Sequence, residues 1–317
     1  MEVSIKTGTK VCVIGGTGFI GSHFVEYFQE NPAIELVATS RAIPDQAFLT
    51  NKVRWLIGDL RSIDFCRELV TCSDIFIHLA HSSYPLTSGL DLSGEILNNV
   101  LPTTNLLNAI YDSNKKPHMI FISSAGAVYG QSIHDEQFVE DVVCNPCNSY
   151  GIQKLTLEHL IRLWAIKGYL TSTVLRVANA YGSVFSASRE QGLIGLAAMR
   201  ILAGQPVSII GSLENVRDYI HVKDVYDAVV KCLYRRAPFE VFNIGTGKGT
   251  SVAQVLELLE SLIGRRAELT LPTNRCALDL PSWNVPCCEK AAKILKWRHK
   301  IGLKDGLEMM LRQFAGK

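Results

Sequence analysis

Nearly continuous apolar, β-branched runs recur through the first half of the chain. KVCVIG (10–15), IELVATS (34–40), VRWLIGD (53–59), DIFIHLA (74–80), HMIFISS (118–124) and TSTVLRV (171–177) have this form. A strand with one wet face alternates apolar and polar residues, so unbroken runs predict strands buried on both faces. Stretches with helical spacing lie between them, at Gly18 to Glu30, Ser62 to Val70, Leu92 to Ser113 and Tyr150 to Ile166. Strand–helix–strand repetition of this kind predicts an α/β fold, a Rossmann-type doubly wound parallel sheet.

Past Arg176 the rhythm loosens. GLIGLAAMRILAG (192–204) predicts a helix, PVSII (206–210) a short strand, HVKDVYDAVVKCLYRR (221–236) a helix and EVFNIG (240–245) a strand. Two late helices are expected around Val252 to Ile263 and Lys304 to Phe314, among long loops carrying Pro272, Pro281 and Pro286. The division expected is a dinucleotide-binding domain of residues 1–176 plus about 217–246. A smaller, discontinuous α/β substrate domain would take 177–216 plus 247–317.

Composition narrows the chemistry. The chain has 317 residues, 47% of them hydrophobic, with 32 basic residues against 30 acidic ones. That balance gives no basic stripe for nucleic acid and no polybasic patch for a membrane, so a small-molecule partner is expected. No apolar run reaches the roughly 20 residues of a membrane span, and MEVSIKTGTKVCVIGG runs straight into a strand with no leader pattern, so a cytoplasmic location is expected. The nine cysteines are odd in number, and several (Cys12, Cys66, Cys232) lie in apolar segments. Cys144 with Cys147, and Cys287 with Cys288, lack the second ligand pair that zinc or redox chemistry wants. Reduced thiols and no metal are therefore expected.

The first strand–helix junction reads VCVIGGTGFIGSHFVEYF, with G-x-x-G-x-x-G at Gly15, Gly18 and Gly21. Glycines permit a tight turn and close backbone approach, and the helix N-terminus offers N–H groups to a pyrophosphate. In this context the pattern predicts a bound dinucleotide. The second strand ends in Ser40 and Arg41 rather than in the acid that takes both ribose hydroxyls of NAD. A serine and an arginine suit the 2′-phosphate of NADP. Arg41 stacked over adenine would equally allow NAD. Asp59, after the third strand, would reach the adenine or cap the helix near Ser62.

Taken in order, GGTGFIG (15–21), HLA (78–80), ISSAGAVYG (122–130), YGIQK (150–154), LRVANAYG (175–182), RDYIHVKDV (217–225) and FNIGTG (242–247) resemble the extended short-chain dehydrogenase/reductases. The likeness is to the NAD-dependent epimerase/dehydratase family, in its nucleotide-sugar branch, and it covers nearly the whole chain. It implies Tyr150 as proton-transfer acid/base and Lys154 as its helper. Positions i and i+4 share a helix face, and an ammonium beside a phenol favours the phenolate. The family's Ser/Thr for the sugar's C4 oxygen falls at Ala125, so Ser124 is expected to serve, with Ser123 as the alternative. Sugar 4,6-dehydratases place Asp-Glu next, where Gly126 and Ala127 stand here. Dehydration is therefore not expected.

The resemblance further implies a cofactor site of Gly15, Thr17, Gly18, Phe19, Ile20, Gly21, Ser40, Arg41, Asp59, Leu60, Leu79, Ala80, His81, Asn99, Ser123, Tyr150, Lys154 and Val177. It implies contacts to a UDP- or dTDP-linked hexose from Ser83, Ser124, Tyr150, Asn179, Gly192, Leu193, Arg217 and Arg275. Guanidinium forks match diphosphate oxygens; for Arg217 the alternative is an ion pair with Asp218 or Asp224. His78, His81 and His221 read as strand-end or core histidines rather than as catalysts. The expected activity is a C4 epimerase acting through a transient 4-keto sugar, of the kind found in polysaccharide biosynthesis. The alternatives are an NAD(P)H-dependent 4-keto-6-deoxyhexose reductase and, more remotely, a non-catalytic NADP redox sensor. A homodimer formed through the helix after Tyr150 is also expected.

Overall fold

The computed structural model describes residues 7–46, 49–83, 89, 91–132, 135–183, 192–270 and 281–315. The first compact unit comprises Met1–Ser123, Ser149–Arg176 and Tyr226–Phe242. The second comprises Ser124–Asn148, Val177–Val225 and Asn243–Lys317. Residues 124–148, 217–225 and 243–246 thus pack with the later part of the chain, whereas the expected division groups them with the dinucleotide-binding half.

The elements run β1 (Thr9–Ile14), α1 (Phe19–Phe28), β2 (Ile34–Ser40), β3 (Val53–Ile57), α2 (Ile63–Cys72), β4 (Ile75–His78), α3 (Leu92–Glu95), α4 (Leu101–Ser113), β5 (His118–Ser124), α5 (Ala125–Val128), α6 (Ser149–Ile166) and β6 (Thr171–Val177). There follow β7 (Asn179–Tyr181), α7 (Leu193–Ala203), β8 (Val207–Ser208), β9 (Val216–Arg217), β10 (Tyr219–His221), α8 (Val222–Cys232), β11 (Phe239–Ile244), β12 (Thr250–Ser251), α9 (Val252–Ile263), β13 (Leu269–Thr270), β14 (Trp283–Asn284) and α10 (Leu303–Ala315).

A seven-stranded sheet has the order β11-β6-β5-β4-β1-β2-β3. β1 lies between β2 and β4 and pairs with both in parallel, Val13 facing Ala38 on one side and Ile77 on the other. The chain therefore winds outward in opposite directions from β1, which opens a crevice beyond the carboxyl ends of β1 and β4. The apolar runs are continuous because both faces of these strands are covered. Val11, Cys12, Val13 and Ile14 are all at most 1% exposed, and Cys12, Ile14, Phe76, Met119, Phe121, Leu157 and Ile161 share one core.

The segment expected as a single helix from Leu92 to Ser113 is interrupted. α3 passes into a π-turn over Ile96–Val100 before α4 resumes, and Leu101 N–H reaches back five residues to Ile96 O. Pro102 supplies a cause, since it has no N–H to continue the ordinary ladder.

In the second unit β7 pairs with β10, β12-β9-β14 form a small sheet, and β13 pairs with β8. Ile194, Ala197, Ile201, Val255, Leu256, Leu259, Leu307 and Met310 from α7, α9 and α10 make its core. Ser251 and Gln254 form a reciprocal capping box at the start of α9. Among the described residues no helix is long and apolar enough to cross a membrane.

Candidate active site

The glycine turn closes on itself between β1 and α1. Gly15 adopts φ +88°, and a Cβ there would lie 3.1 Å from Ala80 N. A Cβ on Gly21 would collide with the Gly15 carbonyl oxygen. Both positions therefore demand glycine. Gly16 N–H donates to Thr39 O (3.0 Å) and Leu79 N–H to Ile14 O (3.0 Å), which ties the ends of β2 and β4 to the turn. Gly18 caps α1 with extended backbone and no side-chain hydrogen bond, ahead of the first turn that Phe19, Ile20 and Gly21 form.

The end of β2 lies beside this turn. Thr17 and Ser40 hydroxyls are 3.3 Å apart, and Ala42 N–H donates to Ser40 Oγ at 3.3 Å. Arg41 is exposed. Asp59 does not cap α2. Its carboxylate accepts from Arg61 Nε (3.0 Å) and Nη2 (2.8 Å), and the hydrogen bond from Arg61 holds its pKa below the usual carboxylate value. The cap is Ser62, whose hydroxyl accepts from Phe65 N–H. Leu60 is buried beneath.

Beyond β4 a polar network fixes the head of α6. Asn99, carried inward on the π-turn, accepts from Ser82 N–H and Oγ (both 2.7 Å). It donates to Ser83 Oγ (3.0 Å) and Gln153 Oε1 (2.8 Å). Gln153 Nε2 and Ser149 Oγ both donate to Glu95 Oε2, at 2.5 Å each. Glu95, Gln153 and Ser149 were not anticipated from the sequence as part of the site. The signal was available: Gln153 lies between Tyr150 and Lys154, on a helix whose apolar stripe must face the sheet.

Lys154 lies on the buried face of α6. It is 3% exposed, donates to Ile122 O at 2.9 Å, and its Nζ is 4.9 Å from the Phe121 ring centre and 5.8 Å from that of Tyr150. Burial pulls its pKa down to about 7, opposed by the charge of Glu158. Glu158, the next turn along, accepts from Ser123 Oγ (2.5 Å) and pairs with Arg176 (2.8 Å). Ser123 is thereby committed to the interior, and Ser124 is the serine of the pair left at the strand end. Tyr150, half-buried, packs its ring edge-on against His81 at 4.9 Å.

In the second unit Ser124 and Asn179 converge over Gly126. A Cβ there would lie 3.5 Å from Asn179 Oδ1 and 3.7 Å from Ser124 Oγ. Asn179 is anchored through Nδ2 to Asp218 O (3.1 Å). Arg217 pairs with neither acid considered for it. Its guanidinium donates to the carbonyls of Val216 (2.8 Å) and Pro281 (2.5 Å), and burial lowers its pKa. Asp218 instead accepts from Thr246 N–H, Thr246 Oγ1 (2.6 Å) and Gly247 N–H (2.8 Å). Gly192 caps α7 at φ +84° just before Leu193, with no side-chain cap bond. Val177 is buried, and Arg275 lies outside the described residues.

Residues 11–245 match the model of the NAD dependent epimerase/dehydratase family. The chain belongs to that family. The dTDP-4-dehydro-6-deoxyglucose reductase of Escherichia coli is 29% identical to it, over 97% of this chain and 98% of that protein. Two solved UDP-glucose 4-epimerases superpose closely. That of Thermotoga maritima with UDP-glucose has a TM-score of 0.88 at 28% identity, covering 97% of this chain and 99% of that one. That of Thermus thermophilus with NAD has a TM-score of 0.87 at 26% identity, with the same coverage.

The family's dinucleotide fits the residues present. Gly15 and Gly21 let the turn close tightly against its own backbone at the head of α1, the N-terminus of α1 carries no side-chain cap, and among the described residues His81 Nε2 is buried without a partner. Each feature suits a ligand that brings its own phosphates and hydroxyls.

Proposed function

We propose that this chain is a UDP-hexose 4-epimerase that retains NAD. The observation that carries the reading is the Tyr150–Lys154 pair on one face of α6, with the ammonium buried beside Ile122 O and its pKa lowered to about 7. When bound, NAD supplies a hydride acceptor and donor for C4 of the sugar. Tyr150 takes the C4 hydroxyl proton and returns it, with Lys154 favouring the phenolate. Ser124 hydrogen-bonds the C4 oxygen. Arg217, whose polar partners here are carbonyl oxygens, and Asn179 hold the diphosphate end, with Gly192 and Leu193 beside the base. The buried Glu158–Arg176 pair fixes the helix that carries both catalytic groups.

Apolar residues on the outer faces of α4 and α6 support a homodimer. Tyr111, Ile152 and Ile166 are each more than half exposed, more than a lone soluble helix pair needs to leave in water.

The second reading is a 4-keto-6-deoxyhexose reductase, favoured by the Escherichia coli relative. Purification without added cofactor, then denaturation and mass spectrometry of what is released, separates the two. Stoichiometric NAD⁺, together with interconversion of UDP-glucose and UDP-galactose by proton NMR, supports the epimerase. Empty protein that oxidises NADPH with dTDP-4-keto-6-deoxyglucose overturns it.

A further inference from the structure

The near-neutral total of the chain hides a local excess of positive charge. Residues 289–305 carry six basic residues, Lys290, Lys293, Lys296, Arg298, Lys300 and Lys304, against two acids, Glu289 and Asp305. Exposed lysines are ordinarily solvated and need no ligand. Here they surround a hollow in the second unit that the proposed chemistry does not use. A cavity of about 190 Å³ opens between the loop 245–248 and the segments 287–289 and 297–299. That is ample for a phosphate group, since a water molecule occupies about 30 Å³.

The walls are held from behind. Thr246 N–H, Thr246 Oγ1 and Gly247 N–H donate to the Asp218 carboxylate at 2.8, 2.6 and 2.8 Å. Asp218 is fully buried, so the loop's donors and the acid's charge are spent on each other. Trp297 donates through Nε1 to Asp224 O at 3.2 Å, and Gln137 Nε2 donates to Gly247 O at 2.6 Å. What lines the cavity besides is rich in donors: the Lys248 ammonium, the Arg298 guanidinium and the His299 ring. Among the described residues Lys248 has no ion-pair partner. Arg298 donates to Glu289 at 3.0 and 3.2 Å, but both side chains are more than half exposed. An ion pair so exposed contributes little, which leaves the guanidinium fork open to an anion offering two oxygens.

We propose that this cavity binds a phosphate-bearing anion, held by Lys248, Arg298 and His299. The surrounding lysines act on approach, by raising the local concentration of anions. A free phosphate compound and the headgroup of an anionic lipid share that chemistry; a cavity rather than a raised patch favours the free compound. No lining residue belongs to the cofactor or sugar site, so the proposal stands apart from the epimerase reading.

The probe is inorganic diphosphate, titrated calorimetrically into protein held in saturating NAD⁺ and UDP, which fill the other phosphate-binding residues. One additional site is expected, with a Kd of about 10–100 μM that exposed Lys248→Gln weakens about fivefold or more, and Lys248→Gln/Arg298→Gln further. No binding up to ~10 mM, or a Lys248→Gln within about twofold of wild type, overturns the proposal. Phosphatidylglycerol vesicles distinguish the sources. Diphosphate binding without vesicle binding identifies the free compound, and vesicle binding that diphosphate displaces identifies the headgroup. Vesicle binding with diphosphate silent overturns the cavity in favour of a membrane-facing patch. A second measurement needs no variant. Half-buried Cys287 lines the cavity, whereas exposed Cys147 lies outside it. Diphosphate should slow alkylation of Cys287 by iodoacetamide about fivefold or more and leave Cys147 unchanged, read by peptide mass spectrometry. Equal slowing at both, or none at Cys287, sinks the idea. Protein that binds neither NAD⁺ nor UDP refutes the activity proposed above and leaves the protection of Cys287 readable.

Discussion

Replacing Lys154 by methionine should make the cofactor-free protein more stable and the enzyme inactive. The ammonium is 3% exposed, and burial lowers its pKa from 10.5 to about 7. A native value below the unfolded one means that the unfolded chain binds the extra proton, so the lysine opposes folding. At about 1.36 kcal/mol per tenfold change in proton affinity, the opposition is about 5 kcal/mol below pH 7. It shrinks as pH rises from about 7 and vanishes above about 10.5. Against this stand the bond to Ile122 O, about 1 kcal/mol, and imperfect packing of the methionine. The net expectation is a gain of about 2–4 kcal/mol at pH 6, falling towards zero or slightly below at pH 10. Urea unfolding of both cofactor-free proteins at the two pH values measures it. A variant that is destabilised equally at pH 6 and pH 10 would refute the claim that burial of the charge is what Lys154 imposes on the fold.

Other changes test the remaining parts of the site. Gly21→Ala pushes a methyl into the Gly15 carbonyl, and calorimetry should show NAD⁺ affinity reduced by about tenfold or more. Glu158→Gln leaves the Arg176 guanidinium buried without its carboxylate, so urea unfolding should show a loss of about 3–5 kcal/mol, with Glu158→Gln/Arg176→Met recovering most of it. Arg217→Met should raise KM for UDP-glucose by about 10- to 100-fold while kcat changes only a few fold, in steady-state assays that would expose a purely structural role through loss of both.

The strands of the seven-stranded sheet were legible because burial on both faces leaves almost no polar residue to interrupt them; β2, β5 and β6 begin and end where the apolar runs do. Tyr150 and Lys154 were legible by spacing and resemblance. The polar residues behind them were not, because Gln153 and Glu158 on an amphipathic helix look like solvated positions, and only tertiary contacts show them facing inward. Arg176 within TSTVLRV was a missed cue, since a charge inside an unbroken apolar strand requires a buried counter-charge. The pairing considered for Arg217 with Asp218 fails for a geometric reason: consecutive residues of extended chain project to opposite faces. Of the two-residue strands of the second unit only β8, inside PVSII, was legible; β9, β12, β13 and β14 carry too little pattern to be read.

The π-turn at Ile96–Val100 makes chain length part of the site. A π-turn amounts to one residue inserted into an α-helix, and here it lies between Glu95, which holds the head of α6, and the body of α4. Removing any one residue from the segment would let the helix close regularly and swing Glu95 about 100° around the axis, away from Ser149 and Gln153. A gap of one position is thus a more disruptive difference between two such chains than most substitutions there. Descendants of this sequence are free to change the letters of ILNNV, Asn99 with its four hydrogen bonds apart, more readily than their number.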